Sequence, residues 1–364
     1  MIIPTVFGQT LDEINQFLEN ANNLSLEKKY DEAVIELDRI LEVDPENVNA
    51  LNKKGVVFLT QGKYVNALQN FERAYGIAPN NFESINGIGN SYYFLDRYDD
   101  AVKNFELVLK KDRRNVDALL GSGNVLLKLE QYDDAILFFN IVLEKNPANL
   151  SALLGKATAL LSTNQYGSAT RFYEKVLELD LDNVEALNGI GQVNLELERY
   201  EKSRNAFTTA LEVEPENIST LLGLAELNFL EEKNIKSHKI YEKILELDPD
   251  NTDALIGDAS VLVELGRVDD ALEYFDEALE IDPTNLDALN GKDLILGDRV
   301  GDSLDLILLI TIIGSVTSVF SFIVVMIKIR ENVELKSKLI MSNEQIEDLV
   351  DKMMRNLAKN EPKT

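Results

Sequence analysis

The stretch YDDAVKNFELVLKKDRRNVDALLGSGNVLLKLEQ occupies residues 98–131, and YDDAILFF, residues 132–139, then begins the same series again. What recurs is residue type at fixed places: a tyrosine, a small residue three on, an aromatic ring four further, and a polar turn at DRRN, residues 112–115. That turn has counterparts in DPEN (44–47), APNN (78–81), NPAN (146–149), DLDN (180–183), EPEN (214–217), DPDN (248–251) and DPTN (282–285). Their prolines, Pro45, Pro79, Pro147, Pro215, Pro249 and Pro283, are 34 or 68 residues apart, and Arg113 and Leu181 fill the two missing slots. Eight units therefore run in one register without an insertion.

Each unit carries a small residue in its first half (Ala21, Gly55, Gly89, Gly123, Ala157, Gly191, Ala225, Ala259) and, in six units, a turn tyrosine (Tyr30, Tyr64, Tyr98, Tyr132, Tyr166, Tyr200). Asn234 and Val268 take the tyrosine's place in the last two. Next comes a small residue with a large one a helical turn away: Ala33/Leu37, Ala67/Phe71, Ala101/Phe105, Ala135/Phe139, Ala169/Tyr173, Ser203/Phe207, Ser237/Tyr241 and Ala271/Phe275. A small residue facing a large one at helical spacing lets two antiparallel helices interlock, and a pair that buries one face needs the next pair to cover the other. This pattern resembles the tetratricopeptide repeat over roughly residues 11–297, with Leu or Ile where the family usually has Trp. The resemblance implies an all-α, right-handed superhelical solenoid of about eight helix-turn-helix repeats, 14–47, 48–81, 82–115, 116–149, 150–183, 184–217, 218–251 and 252–285, closed by a capping helix over 286–297. Thr10, followed by Leu11, Asp12 and Glu13, is expected to open the first helix as a capping box.

Composition removes most chemistry. The 364 residues include no Cys, no Trp and one His, and only 8 Pro and 19 Gly, which argues against a sheet-rich fold and leaves no thiol, disulfide or zinc cluster. Paired acids such as Asp99 and Asp100, or Asp133 and Asp134, sit at helix starts, where the helix dipole accounts for them. His238 has no ligating company in the sequence. No enzyme activity, cofactor or metal is expected. The net charge of −27 repels phosphate backbones, so nucleic acid is not an expected partner.

In such a solenoid the first helix of each unit lines the inner face, and three ladders of residues run along it. The first reads Leu18, Asn52, Asn86, Leu120, Leu154, Asn188, Leu222, Ile256 and Asn290. The second reads Asn22, Val56, Asn90, Asn124, Thr158, Gln192, Glu226 and Ser260, and the third Ser25, Leu59, Tyr93, Leu127, Leu161, Leu195, Phe229 and Val263. Amides beside hydrophobes suit an extended peptide, whose backbone they pair and whose apolar side chains they receive. Asn52, Asn86, Asn90, Tyr93, Asn124, Asn188, Gln192 and Phe229 are the candidate groove residues; the alternative is that the third ladder is core between repeats. Gly87, Gly121, Gly155, Gly189, Gly223, Gly257 and Gly291 recur at one place of the first helix, where each costs about 1 kcal/mol of helix propensity, and close packing or a smooth ligand trench would explain them. Members of the family that clamp chaperone C-termini use Lys and Arg in the groove, whereas only Lys53 is offered here.

Residues 306–327 carry no charge and, at 1.5 Å per residue, a helix there spans about 33 Å, enough for a hydrocarbon core of about 30 Å. They are read as a transmembrane helix after a linker at 299–305. The seam Thr311, Gly314, Ser318 and Ser321 offers a surface for homo-oligomer pairing. The tail, 328–364, reads as a short coiled coil or as an amphipathic helix lying on lipid. Basic residues after the span (Lys328, Arg330, Lys336, Lys338) favour the tail inside, whereas exporting the repeats without a signal peptide is demanding, and the balance favours repeats facing the cytoplasm. The expected function is a membrane-anchored scaffold or receptor that binds a neutral or basic protein partner. The alternative is a structural subunit that assembles through span and tail.

Overall fold

The computed structural model describes the backbone of residues 4–296, with side chains from residue 12. Every element within that range is helical. First helices are α1 (Pro4–Leu26), α3 (Val48–Thr60), α5 (Phe82–Phe94), α7 (Val116–Lys128), α9 (Leu150–Ser162), α11 (Val184–Glu196), α13 (Ile218–Leu230) and α15 (Thr252–Glu264). Second helices are α2 (Tyr30–Val43), α4 (Tyr64–Ile77), α6 (Tyr98–Lys111), α8 (Tyr132–Lys145), α10 (Tyr166–Leu179), α12 (Tyr200–Val213), α14 (Asn234–Leu247) and α16 (Val268–Ile281). A further helical run covers 286–296. The described residues up to Lys292 form one compact unit.

The turn chemistry explains where helices start. Asn47, Asn81, Asn115, Asn149, Asn183, Asn217 and Asn251 each occupy the cap before a first helix, their side-chain oxygens accepting from the backbone N–H three residues on. Such a cap is worth about 1 kcal/mol over alanine. The preceding second helix ends at a residue in extended or intermediate backbone, which gives the proline of the turn its place after the helix. Between first and second helices the chain passes through one left-handed residue: Lys28, Gly62, Asp96, Glu130, Asn164, Glu198, Glu232 and Gly266 all have positive φ. The sequence offers glycine at two of these eight places, so the turn is imposed by packing on side chains that would otherwise avoid it.

At the centre of each unit after the first lies one ring; unit 1 has Leu37 in its place. Phe71 meets the backbone of Gly55 from its own unit and of Gly87 from the next; a Cβ on Gly87 would lie 2.3 Å from the ring. Phe105 is held in the same way by Gly89 and Gly121, Phe139 by Gly123 and Gly155, and Phe207 by Gly191 and Gly223. Tyr173, Tyr241 and Phe275 have the glycine of the following unit, Gly189, Gly257 and Gly291. The recurring glycines are therefore packing sites for aromatic rings, which settles the choice between packing and a ligand trench. First helices also touch one another across units, α3 with α5, α5 with α7, α7 with α9 and α9 with α11. They form the inner face, and the second helices spread over the outer one.

One expectation fails at the start: α1 begins at Pro4, so Thr10 lies inside the helix and not at its start. Proline suits a first helical position because its missing N–H has no helical partner there. The transmembrane, linker and tail assignments at 299–364 lie outside the described residues. Among the described residues no helix is long and apolar enough to cross a membrane.

His238, for which the sequence suggests no company, closes the joint between units 7 and 8. Its Nδ1 lies 2.7 and 2.9 Å from the two carboxylate oxygens of fully buried Asp258, and Arg267 Nη1 lies 3.0 Å from Nε2. Glu242 approaches Nε2 at 3.5 Å. Burial pushes the Asp258 carboxyl up to about 6, against the opposing hydrogen bond from His238.

Two tests follow from this packing. Gly121→Ala sets a methyl against the Phe105 ring and should destabilise the fold by about 1–3 kcal/mol in denaturant unfolding, despite a gain of about 1 kcal/mol in helix propensity. Gly76→Ala, with open space around the added carbon, should stabilise by up to about 1 kcal/mol. For Asp258, a folded pKa above the ordinary value means the proton is held more tightly in the folded state, so its contribution is full below about pH 4 and lost as pH rises through about 6. Unfolding free energies at stepped pH should fall across that window in the wild type relative to Asp258→Asn.

Candidate binding groove

The ladder residues divide into two kinds. Asn52 is fully buried: its Nδ2 donates to Asn81 Oδ1 at 3.1 Å and to Glu83 Oε2 at 3.3 Å, and its Oδ1 accepts from the Ser84 hydroxyl at 2.9 Å. Asn86, 4% exposed, donates to Asn115 Oδ1 at 3.0 Å, and Asn188 donates to the Ser219 hydroxyl at 3.0 Å. These amides latch each unit to the start of the next first helix; Asn81 and Asn115 are themselves the caps of those helices. The carbonyl oxygens of Asn86 and Asn188 are shielded and meet no donor.

Asn90, Asn124 and Gln192, one turn further along, are half-buried. Gln192 gives a hydrogen bond to Glu226 that works against the upward push of desolvation on that carboxyl. Of the third ladder, Leu195 is core, while Tyr93, Phe229 and the remaining leucines are half-buried. The exposed-or-core question thus resolves residue by residue.

The structure adds residues that the ladders miss. Phe94 is 46% exposed and Leu230 48%, each directly after a third-ladder position. Phe94 stacks on Tyr64 with centroids 4.9 Å apart and meets Tyr93 edge-on at 5.1 Å, and Tyr98, whose hydroxyl donates to Asp96 at 2.7 Å, borders Tyr93 at 6.1 Å. The result is an aromatic ledge at the end of α5. Shifting the ladder register by one would have found Phe94 and Leu230 in the sequence.

Beyond this ledge the inner face turns acidic. Glu185, Glu196, Glu226, Asp253 and Glu264 occupy its register places in units 6–8, and no Lys or Arg does. Desolvation holds the carboxyls of Glu185 and Glu226 above the usual range, and Glu196 adds repulsion at Glu226. The Tyr93 hydroxyl is pushed up by burial and then by the charges of Asp96 and of Glu185, three units along the chain. Lys53, the one cation the sequence offers the groove, donates to Asn22 Oδ1 at 2.9 Å and ties units 1 and 2 together. Among the described residues no group of acids and histidines is arranged to hold a metal ion.

Family models described as tetratricopeptide repeat match residues 25–82, 86–150 and 229–292, together more than half of the chain. The chain belongs to the tetratricopeptide-repeat family. A model described as anaphase-promoting complex, cyclosome, subunit 3 also matches residues 128–210. No curated protein matches the sequence. Among solved structures, the APC/C hetero-tetramer Cut9-Hcn1 is similar at a TM-score of 0.65 and 16% identity, over 77% of this chain and 55% of that one. A tetratricopeptide repeat protein from Parabacteroides merdae aligns at 0.57 and 18% identity, over 68% of this chain and 98% of that one. Yeast Tom70 aligns at 0.53 and 19% identity, over 76% and 60%. The repeat chain thus spans about half the length of the first of these, and at such identities the likeness is one of fold.

Alanine substitutions should separate the two kinds of amide in the repeats. Asn52→Ala orphans buried partners and should cost about 1–3 kcal/mol in denaturant unfolding. Asn90→Ala, which has no such partner, should stay within about 0.5 kcal/mol of wild type.

Proposed function

We propose that the protein is a membrane-anchored scaffold whose inner face, from the aromatic ledge of unit 3 to the acidic floor of units 6–8, receives an extended segment of a neutral or basic protein partner. The observation that carries this reading is the ledge itself, Tyr93 and Phe94 with Tyr64 and Tyr98, an aromatic surface with Phe94 exposed, on the same side of the repeats as first helices that in units 6–8 carry acids and no Lys or Arg. Aromatic side chains bury area at little entropic cost, and acids held partly desolvated gain when a Lys or Arg approaches. Asn90, Asn124 and Gln192 supply amides for the segment's backbone, and Phe229 with Leu230 supplies a second apolar contact.

Residues 306–327 would hold this scaffold at a bilayer, with the repeats in the cytoplasm and the tail following the span. The match of residues 128–210 to a subunit of a large complex favours a second reading, a structural subunit that assembles through span and tail.

Selection of a random displayed peptide library on the full chain should enrich segments with Lys or Arg beside apolar residues. Tyr93→Ala/Phe94→Ala should weaken the selected peptides at least about tenfold while leaving the melting temperature within a few degrees. Enrichment of acidic peptides, or affinity untouched by the double change, would sink the groove reading. The full chain should float with liposomes and a chain ending at residue 305 should not; oligomers lost with that truncation would favour the assembly reading.

A further inference from the structure

On the outer face, one lysine slot of the repeat occurs three times with two different fillings. A lysine of the first helix reaches the second helix of the preceding unit: Lys54 ion-pairs with Asp38, and Lys292 does the same with Asp276. In unit 5 the lysine is Lys156, three repeats after Lys54 and four before Lys292, but the residue in the aspartate's place is Asn140, whose Oδ1 accepts from Lys156 Nζ at 2.6 Å. The acid that neutralises the other two slots is absent here.

Two further cations gather at the same point. Lys156 Nζ lies 4.2 Å from the centroid of the Phe172 ring, Lys175 Nζ lies 5.1 Å and the Arg171 guanidinium carbon 5.7 Å from it. Lys156 is half-buried, and Arg171 and Lys175 are exposed on successive turns of α10. Among the described residues none of the three forms an ion pair, although Glu144, Glu174 and Glu178 stand on the same helices. Desolvation lowers the Lys156 ammonium from its ordinary value, and repulsion from Lys175 and Arg171 lowers it further. Three cations sharing one ring repel each other, an arrangement that gains most when an oxyanion enters. In a chain of net charge −27 an unneutralised knot of this kind stands out from its surroundings.

We propose that Lys156, Arg171 and Lys175, with the amide of Asn140 beside them, form an oxyanion site on the outer face of units 4 and 5 that takes a phosphate or carboxylate group borne by a protein segment. The guanidinium of Arg171 offers a planar fork, the two ammonium groups offer point charges, and Asn140 keeps its NH2 as a further donor while its oxygen faces Lys156. A phosphoryl group, carrying nearly two charges, balances three cations better than one carboxylate does. The site lies on the face opposite the groove, so both can be filled at once and its test does not depend on the groove reading.

The test uses the full chain in mild detergent and short, labelled Gly/Ser peptides that carry phosphoserine, glutamate or alanine at the centre, with affinity read by fluorescence anisotropy. Phosphoserine should bind at least about tenfold more tightly than alanine, with glutamate between them. Lys156→Gln/Arg171→Gln/Lys175→Gln should abolish that difference. Asn140→Asp, which restores the acid of the other two slots and removes no cation, should weaken phosphoserine binding at least about threefold and still report if the triple variant does not fold. Lys103→Gln/Lys110→Gln, whose ion pairs lie on α6, should leave it unchanged. Glutamate binding equal to phosphoserine identifies a carboxylate as the ligand. Equal binding of all three peptides, or full affinity in Asn140→Asp, overturns the site.

Discussion

The stacking of units 2 to 8 rests on an aromatic ring laid against glycine backbone. Phe71, Phe105, Phe139 and Phe207 each occupy a socket of which one wall belongs to their own unit and the other to the next. Dispersion contacts fall off steeply with separation, so a ring laid directly on backbone holds two helices closer than any pair of side chains could. The helix-propensity cost of the glycines is the counterpart of that contact. It also sets the period, since a socket built across two units tolerates no residue more or less between them.

The solenoid architecture was legible in the sequence for this reason. A constraint repeated in one register leaves the same residue types at the same spacing, and the turns add asparagines and prolines where helices start and stop. What remained hidden was any contact between register places. That Asn52 and Asn86 are spent on latching the next unit, and are not free for a ligand, follows from side chains meeting across helices, which spacing alone does not reveal. The same holds for His238, which looks isolated in the sequence and is in fact held between Asp258 and Arg267. Phe94 and Leu230 escaped because the ladders were drawn three and four residues apart, while the exposed edge of a first helix is wider than one row. Thr10 misled because a capping box is a local signal and the helix continues past it to Pro4.

The repeat also divides labour between its faces. Inner positions, freed from the socket, vary from amide to aromatic to acid along the stack, so recognition can change without disturbing the rings. On the outer face, two of the three lysine slots are neutralised by an aspartate, at Lys54 and Asp38 and at Lys292 and Asp276. Departures from the consensus of this one chain, such as Asn140 in the place of an aspartate, carry information because neighbouring copies show what the scaffold alone requires.

The shared socket has a consequence for how the protein is made. During synthesis Phe71 is fully translated before Gly87 exists, so unit 2 can fold its own helices against Gly55 but stays open on one side until the following first helix has left the ribosome. Each unit is thus completed by the next, and the nascent chain always carries one half-closed ring at its growing end. For Phe275 the closing glycine is Gly291, beyond the eighth unit, and a messenger cut short after α16 would release a protein with that ring permanently uncovered, a ready mark for quality control.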